Sequence, residues 1–223
     1  MNKMIIYKEW LKTRALIFGM IAVTVLATAF CYLNLQKNVQ FRGEGLLWEL
    51  LTSKDTVLVE MLRYLPAIFG GVLALCQFLP ETRSKRLKLT LHLPYPQGRM
   101  IAGIYLYGLC VLGCLFALQA LAMAALLSKW IVGELIARVM LTVLVWYLAG
   151  FGTYIWVGAI CIEPTWKMRV VMGVVLAGVL YLLFLSAVPE AYNSFLPSLA
   201  VYVLGGQVMF FSSTARFKEG LQD

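Results

Sequence analysis

The residues best equipped for chemistry stand together in one polar stretch, Glu81–Arg99, with the sequence ETRSKRLKLTLHLPYPQGR. It carries five basic residues, Arg83, Lys85, Arg86, Lys88 and Arg99, and the chain's single histidine, His92. A serine hydrolase needs a base beside its nucleophile, and a zinc protease needs clustered ligands. One histidine in a polar loop supplies neither. No repeated acidic cluster suits magnesium-dependent prenyl chemistry, and no Walker motif is present. The five cysteines, Cys31, Cys76, Cys110, Cys114 and Cys161, match no metal spacing and imply no disulfide framework. They are expected to be small buried hydrophobes. The stretch therefore suits contact rather than catalysis. Leu87, Leu91 and Pro94 can form an apolar ridge edged by Arg83, Lys85, Arg86 and Lys88. Such a ridge fits a short amphipathic helix seated in a groove on a soluble partner. Basic residues beside a membrane also attract anionic lipid and fix topology, and composition leaves both readings open.

The elements that hold this stretch are apolar. The chain has 223 residues, of which 61% are hydrophobic and 13% charged, with mean hydropathy +0.82. A soluble domain is about 45–50% apolar and about 25% charged. The excess falls in runs long enough to cross about 30 Å of hydrocarbon, which takes about 20 helical residues. Lipid offers the backbone no hydrogen-bond partner, and the runs show no two-residue alternation, so helices are predicted rather than a barrel. The expectation is an all-α, polytopic single transmembrane domain over residues 1–223. Its six spans lie at about 15–35, 57–80, 100–127, 139–161, 170–188 and 195–211. Residues 1–14 are predicted as a separate amphipathic interfacial helix anchored by Trp10. Ala27-Thr28-Ala29 resembles a signal-peptide cleavage site, but the apolar run before the next polar loop exceeds a usual 7–15-residue signal core. Residues 34–56 read as a mixed loop.

Charge placement gives an orientation. Thirteen of the 19 Lys/Arg fall in the lead, the Glu81–Arg99 loop, the 162–169 loop and the tail. With Glu9, Glu81, Glu163, Glu219 and Asp223 on the same side, that side holds the entire net charge of +8. The positive-inside rule assigns it to the cytoplasm, with both termini. Topology thus accounts for the basic balance without nucleic acid. Inside the spans few polar groups stand out. Glu60 and Arg63, three residues apart, suit either a surface pair or a gate contact. Gln119 suits an interhelical hydrogen bond or a substrate contact, and Gln207 is a further pathway candidate. The deep membrane is expected to be almost free of ionisable groups, which weakens an ion-coupled carrier.

The pattern resembles the membrane (permease) subunit of ABC transporters of the ABC-2 type. That family opens with an amphipathic cytoplasmic helix bearing a K/R-E pattern, here YKEWLKTR with Tyr7, Glu9 and Trp10. Its second span ends in an acid followed by basic residues and a Leu-Pro element, here Glu81-Thr82-Arg83-Ser84-Lys85-Arg86 and Leu91-His92-Leu93-Pro94. The family is usually glycine- and threonine-rich after the acid, where this chain has Ser84-Lys85-Arg86. The resemblance implies a coupling helix within 81–99, gripped by a separate cytoplasmic ATPase subunit that binds ATP and magnesium. No cofactor and no catalytic residue are expected in this chain. It further implies a second permease copy or a homologous permease, contact with membrane lipid, a cell inner membrane location, and export of a hydrophobic or amphipathic substrate. Glu81, Leu87 and Leu91 would carry the coupling, with the surrounding basic residues steering it. A non-transport scaffold and an ion-coupled secondary carrier are the alternatives.

Overall fold

The computed structural model describes residues 2–42, 62–83, 97–129, 133–186 and 191–219. Six helices account for nearly all of them: α1 (Asn2–Arg42), α2 (Leu65–Arg83), α3 (Gln97–Leu127), α4 (Gly133–Ile162), α5 (Trp166–Leu183) and α6 (Leu196–Glu219). A short 3-10 turn, Asn193–Phe195, leads into α6. Each of the six is long and apolar enough to cross a membrane. The fold is all-α, and successive helices alternate in direction, so α1 begins and α6 ends at the same end of the bundle.

The lead and the first span are one helix of 41 residues. At about 1.5 Å per residue it is about 60 Å long, roughly twice the hydrocarbon thickness. No proline interrupts residues 2–42, so nothing separates the two parts predicted from sequence. The polarity of the lead is also inverted. Ile6, Trp10 and Leu11 are exposed, whereas Glu9 and Thr13 are fully buried. The buried stripe continues at helical spacing through Ile17, Met20, Thr24, Thr28, Cys31 and Leu35. It packs on the parallel helix α3, with Thr13 at Tyr107 and with Thr28, Cys31 and Leu35 beside Met123 and Leu127.

Helix α4 is the centre of the bundle, buried on most of its circumference from Val139 to Ile162. Its most extensive partner is α2. The two cross where Gly70 lies against the Gly150 carbonyl, so closely that a Cβ at either position would strike the opposite backbone. Small residues at such a crossing let the two backbones approach closely. Helices α5 and α6 flank α4 and are the least buried spans.

Several boundaries differ from expectation. Helix α2 begins at Leu65, not 57, with Pro66 in its first turn, where its missing N–H costs nothing. Arg63 therefore precedes the helix. Gly133 already opens α4, with Glu134 in the first turn, where an acid suits the positive helix end. Helix α5 starts at Trp166 and stops at Leu183, and α6 continues through the polar tail to Glu219. Residues 34–42, read as loop, belong to α1. Cys110 and Cys114 are exposed on α3 rather than buried. Residues 43–56 of the expected loop lie outside the described residues.

Candidate functional site

The helical stripes bring a polar network together at the end of the bundle that bears the termini. Lys8 and Lys12 are one turn apart on α1, and Gln77 and Glu81 are one turn apart on α2. Each pair therefore shares a helix face, and the two faces meet. Glu81 Oε1 lies 2.9 Å from Lys8 Nζ and 3.3 Å from Lys12 Nζ. Lys12 Nζ also donates to the Gln77 backbone carbonyl and stands 3.9 Å from Glu9 Oε1. Gln77 Nε2 donates to Glu9 Oε2 at 3.3 Å. Two carboxylates and two ammonium groups make the cluster formally neutral, which permits its burial. Glu9 and Glu81 are almost wholly enclosed, and Lys12 is only 18% exposed. Taking away one partner of such a buried pair costs about 3–5 kcal/mol, because a charge is left uncompensated.

The network extends to two further helices. The Tyr154 hydroxyl of α4 donates to Gln77 Oε1 at 2.8 Å and lies 3.2 Å from the Tyr105 carbonyl of α3. Gly108 of α3 faces this bond. A Cβ there would collide with both the Tyr154 hydroxyl and Gln77 Oε1. Thr13 donates to the Glu9 carbonyl at 2.8 Å, which leaves the Tyr107 phenol of α3 to donate to Thr13 at 3.0 Å. Four helices are thus tied at one level.

A second cluster joins α4, α5 and α6 at the same end. Glu163 is fully buried between α4 and α5. Its carboxylate accepts from Thr165 Oγ1 at 2.7 Å and from Arg216 of α6 at 2.8 Å, while its carbonyl accepts from Arg169 Nε at 2.6 Å. Burial alone would raise its pKa. The Ser213 and Thr165 hydroxyls and the Arg216 guanidinium outweigh that and hold it below the usual 4.5.

The sequence-predicted residues are distributed unevenly over these sites. Glu81 and Glu9 are in the network. Tyr7 and Trp10 point outward, and Trp10 meets Phe18 edge-on with centroids 6.1 Å apart. Arg83 is the last residue of α2. Lys85, Arg86, Leu87, Lys88, Leu91, His92, Pro94 and Glu60 lie outside the described residues. Arg63, read as part of a surface pair or as a gate contact, is buried at the opposite end of the bundle. It donates to the carbonyls of Phe184 and Ser186, which terminate α5, and lies 5.5 Å from the Tyr64 ring centre. A cation suits a helix C-terminus. Gln119 is 1% exposed, and neither amide atom has a hydrogen-bond partner among the described residues. Gln207 is half-buried on α6.

Sequence reasoning missed Lys12, Gln77, Tyr154 and the Glu163–Arg216 pair. Glu9, Lys12 and Glu81 fall within membrane-length helices, towards the end of the bundle that bears the termini. The one local signal was the four-residue spacing in Lys8–Lys12 and Gln77–Glu81. Six apolar helices around a sealed polar network define the class: the chain is a multi-pass helical membrane protein. Comparison with protein-family models, curated proteins and solved structures gives no match.

Proposed function

We propose that this chain is the permease subunit of an ABC-2 type transporter, carrying a hydrophobic or amphipathic substrate outward. The observation that supports it best is the state of Glu81. This acid ends α2 directly ahead of the basic stretch, yet it is buried and held by two lysines of α1. A displacement of the stretch by a partner is therefore passed to α1 through Lys8 and Lys12, and to α4 through Gln77 and Tyr154. A link made of buried ion pairs resists separation. Nucleotide drives such a movement only if it favours one conformation of the complex over the other. ATP and magnesium belong to a separate cytoplasmic ATPase, seated on Leu87 and Leu91, and a second permease completes the pathway. The membrane is a bacterial inner membrane, with both termini in the cytoplasm.

Purification of the intact complex from its native membrane tests this. An ATP-hydrolysing subunit co-purifies, and Leu87→Asp with Leu91→Asp releases it while the six spans remain inserted. Retention of the ATPase by the double variant counts against the docking surface. A second reading, an ion-coupled carrier, is favoured by the acids Glu9 and Glu81 inside membrane-length helices. It predicts gradient-driven transport with no ATPase present.

A further inference from the structure

At the end of the bundle that bears the termini, four helices surround a pocket of about 590 Å³. Leu79 and Thr82 of α2, Cys161 of α4, Trp166 and Arg169 of α5 and Phe217 of α6 line it. Small-molecule sites usually measure about 300–1,000 Å³, so this one has room for a compact ligand. The pocket does not continue into the bundle. Between α5 and α6 at mid-membrane the free space closes to about 10 Å³, and no residue there lines the pocket.

Arg169 is the one charged residue in the lining among the described residues. Its Nε donates to the Glu163 carbonyl at 2.6 Å, which sets the plane of the guanidinium. The Glu163 carboxylate does not compensate it, because Arg216 and Thr165 already hold that group. Arg169 makes no ion pair among the described residues, and its two terminal nitrogens are left for a ligand. Thr165 gives its hydroxyl to Glu163 and makes no side-chain cap on α5. The positive end of that helix, where Trp166 stands, therefore adds to the attraction for an anion. Opposite the charge, Leu79, Trp166 and Phe217 present apolar and aromatic surface.

We propose that this pocket binds an amphipathic monocarboxylate, its carboxylate on the terminal nitrogens of Arg169 and its apolar body against Leu79, Trp166 and Phe217. An arginine fork matches the two oxygens of a carboxylate. One carboxylate balances the single charge of the lining, whereas a phosphate monoester brings about −1.5 to −2. A cation meets Arg169 with no carboxylate in the lining to receive it. A neutral amphipath leaves the guanidinium without a charged partner. The site stands on the pocket and Arg169 alone. Only its use as the intake for exported cargo rests on the transport reading.

The test is binding of decanoate and of its uncharged analogue decanol to the purified full-length chain. Equilibrium dialysis is run in neutral detergent at neutral pH, with uptake by empty micelles subtracted. The native chain is expected to bind decanoate about tenfold more tightly than decanol, the effect of one hydrogen-bonded charge pair. Arg169→Gln lowers decanoate to the affinity of decanol. Trp166→Ala weakens acid and alcohol alike, and Lys129→Gln, outside the pocket, changes neither. Helix content and elution volume confirm that each variant is folded. Equal binding of acid and alcohol by the native chain overturns the proposal, and so does an undiminished preference in folded Arg169→Gln. A photoreactive decanoate that labels α3 instead of α5 or α6 also overturns it. No nucleotide or ATPase is present, so a negative result counts against the pocket and leaves the permease reading standing.

Discussion

Lys12 of α1 and Glu81 of α2 stand 3.3 Å apart although 69 residues separate them in the chain. The pair lies where the N-terminal helix meets the last turn before the basic stretch. It joins the part of the protein best suited to gripping a partner to the part that crosses the membrane.

The two lysines that reach Glu81 differ in burial, and their removal should differ accordingly. Lys12→Met leaves Glu81 with only the half-exposed Lys8 and should lower unfolding stability in detergent by about 3–5 kcal/mol. Lys8→Met should cost about 1 kcal/mol or less, because Lys8 is 46% exposed. The exchange Lys12→Glu with Glu81→Lys should recover part of the loss. Equal costs for the two lysine variants would show that burial does not set the strength of this link.

Gly108 gives a steric test of the same network. Gly108→Ala should destabilise by about 1–3 kcal/mol, since the new methyl meets the Tyr154 hydroxyl and Gln77. Tyr154→Phe removes the nearest of the three obstructing atoms, the Tyr154 hydroxyl, so the double variant should cost less than the sum of the single ones. Gly98→Ala, with open space around it, should be neutral or stabilising. Strict additivity of Gly108→Ala and Tyr154→Phe would contradict the contact.

Much of this architecture was legible in the sequence. The six apolar runs and the acid that ends α2 follow from length, composition and position. The direction of the polar face of α1 does not. An amphipathic helix on water and one in lipid have the same period and opposite polarity. Glu9 and Lys12 therefore read as solvent-facing, whereas lipid leaves the buried side as the place for them. The partners of Lys12 and Tyr154 are distant in sequence, so no local spacing could reveal them. Gln119 was legible as a polar residue within an apolar run, but its lack of a partner among the described residues depends on the packing of distant helices.

That lack gives Gln119 a predictive use. Gln119→Leu removes a buried amide with no partner among the described residues and should raise stability by about 1–3 kcal/mol. Unfolding in detergent measures it. If stability falls instead, the amide is satisfied in the native membrane. If stability rises while transport falls, Gln119 meets the substrate.

Glu163 sets a pH dependence. Its folded pKa lies below the usual 4.5, so the folded state binds fewer protons than the unfolded state through this range. The stability it contributes is fully present above the unfolded value and is lost as pH falls through the folded one. The thermal midpoint should therefore drop on acidification below about pH 4.5, and this component should be absent in Glu163→Gln. Arg216→Met should weaken the dependence, because the cation that favours the carboxylate is gone. An identical acid limb in native protein and Glu163→Gln would contradict the assignment.

The central claim is that movement of the basic stretch reaches α1 through Glu81. Pulsed electron resonance on the complex with the proposed ATPase measures this directly, using spin labels at the exposed residues Met4 of α1 and Trp166 of α5. ATP with vanadate should shift the distance between the labels. Glu81→Gln should abolish the shift while the ATPase stays bound and hydrolyses ATP. An unchanged shift in Glu81→Gln, or no response to nucleotide in the native complex, would contradict the account.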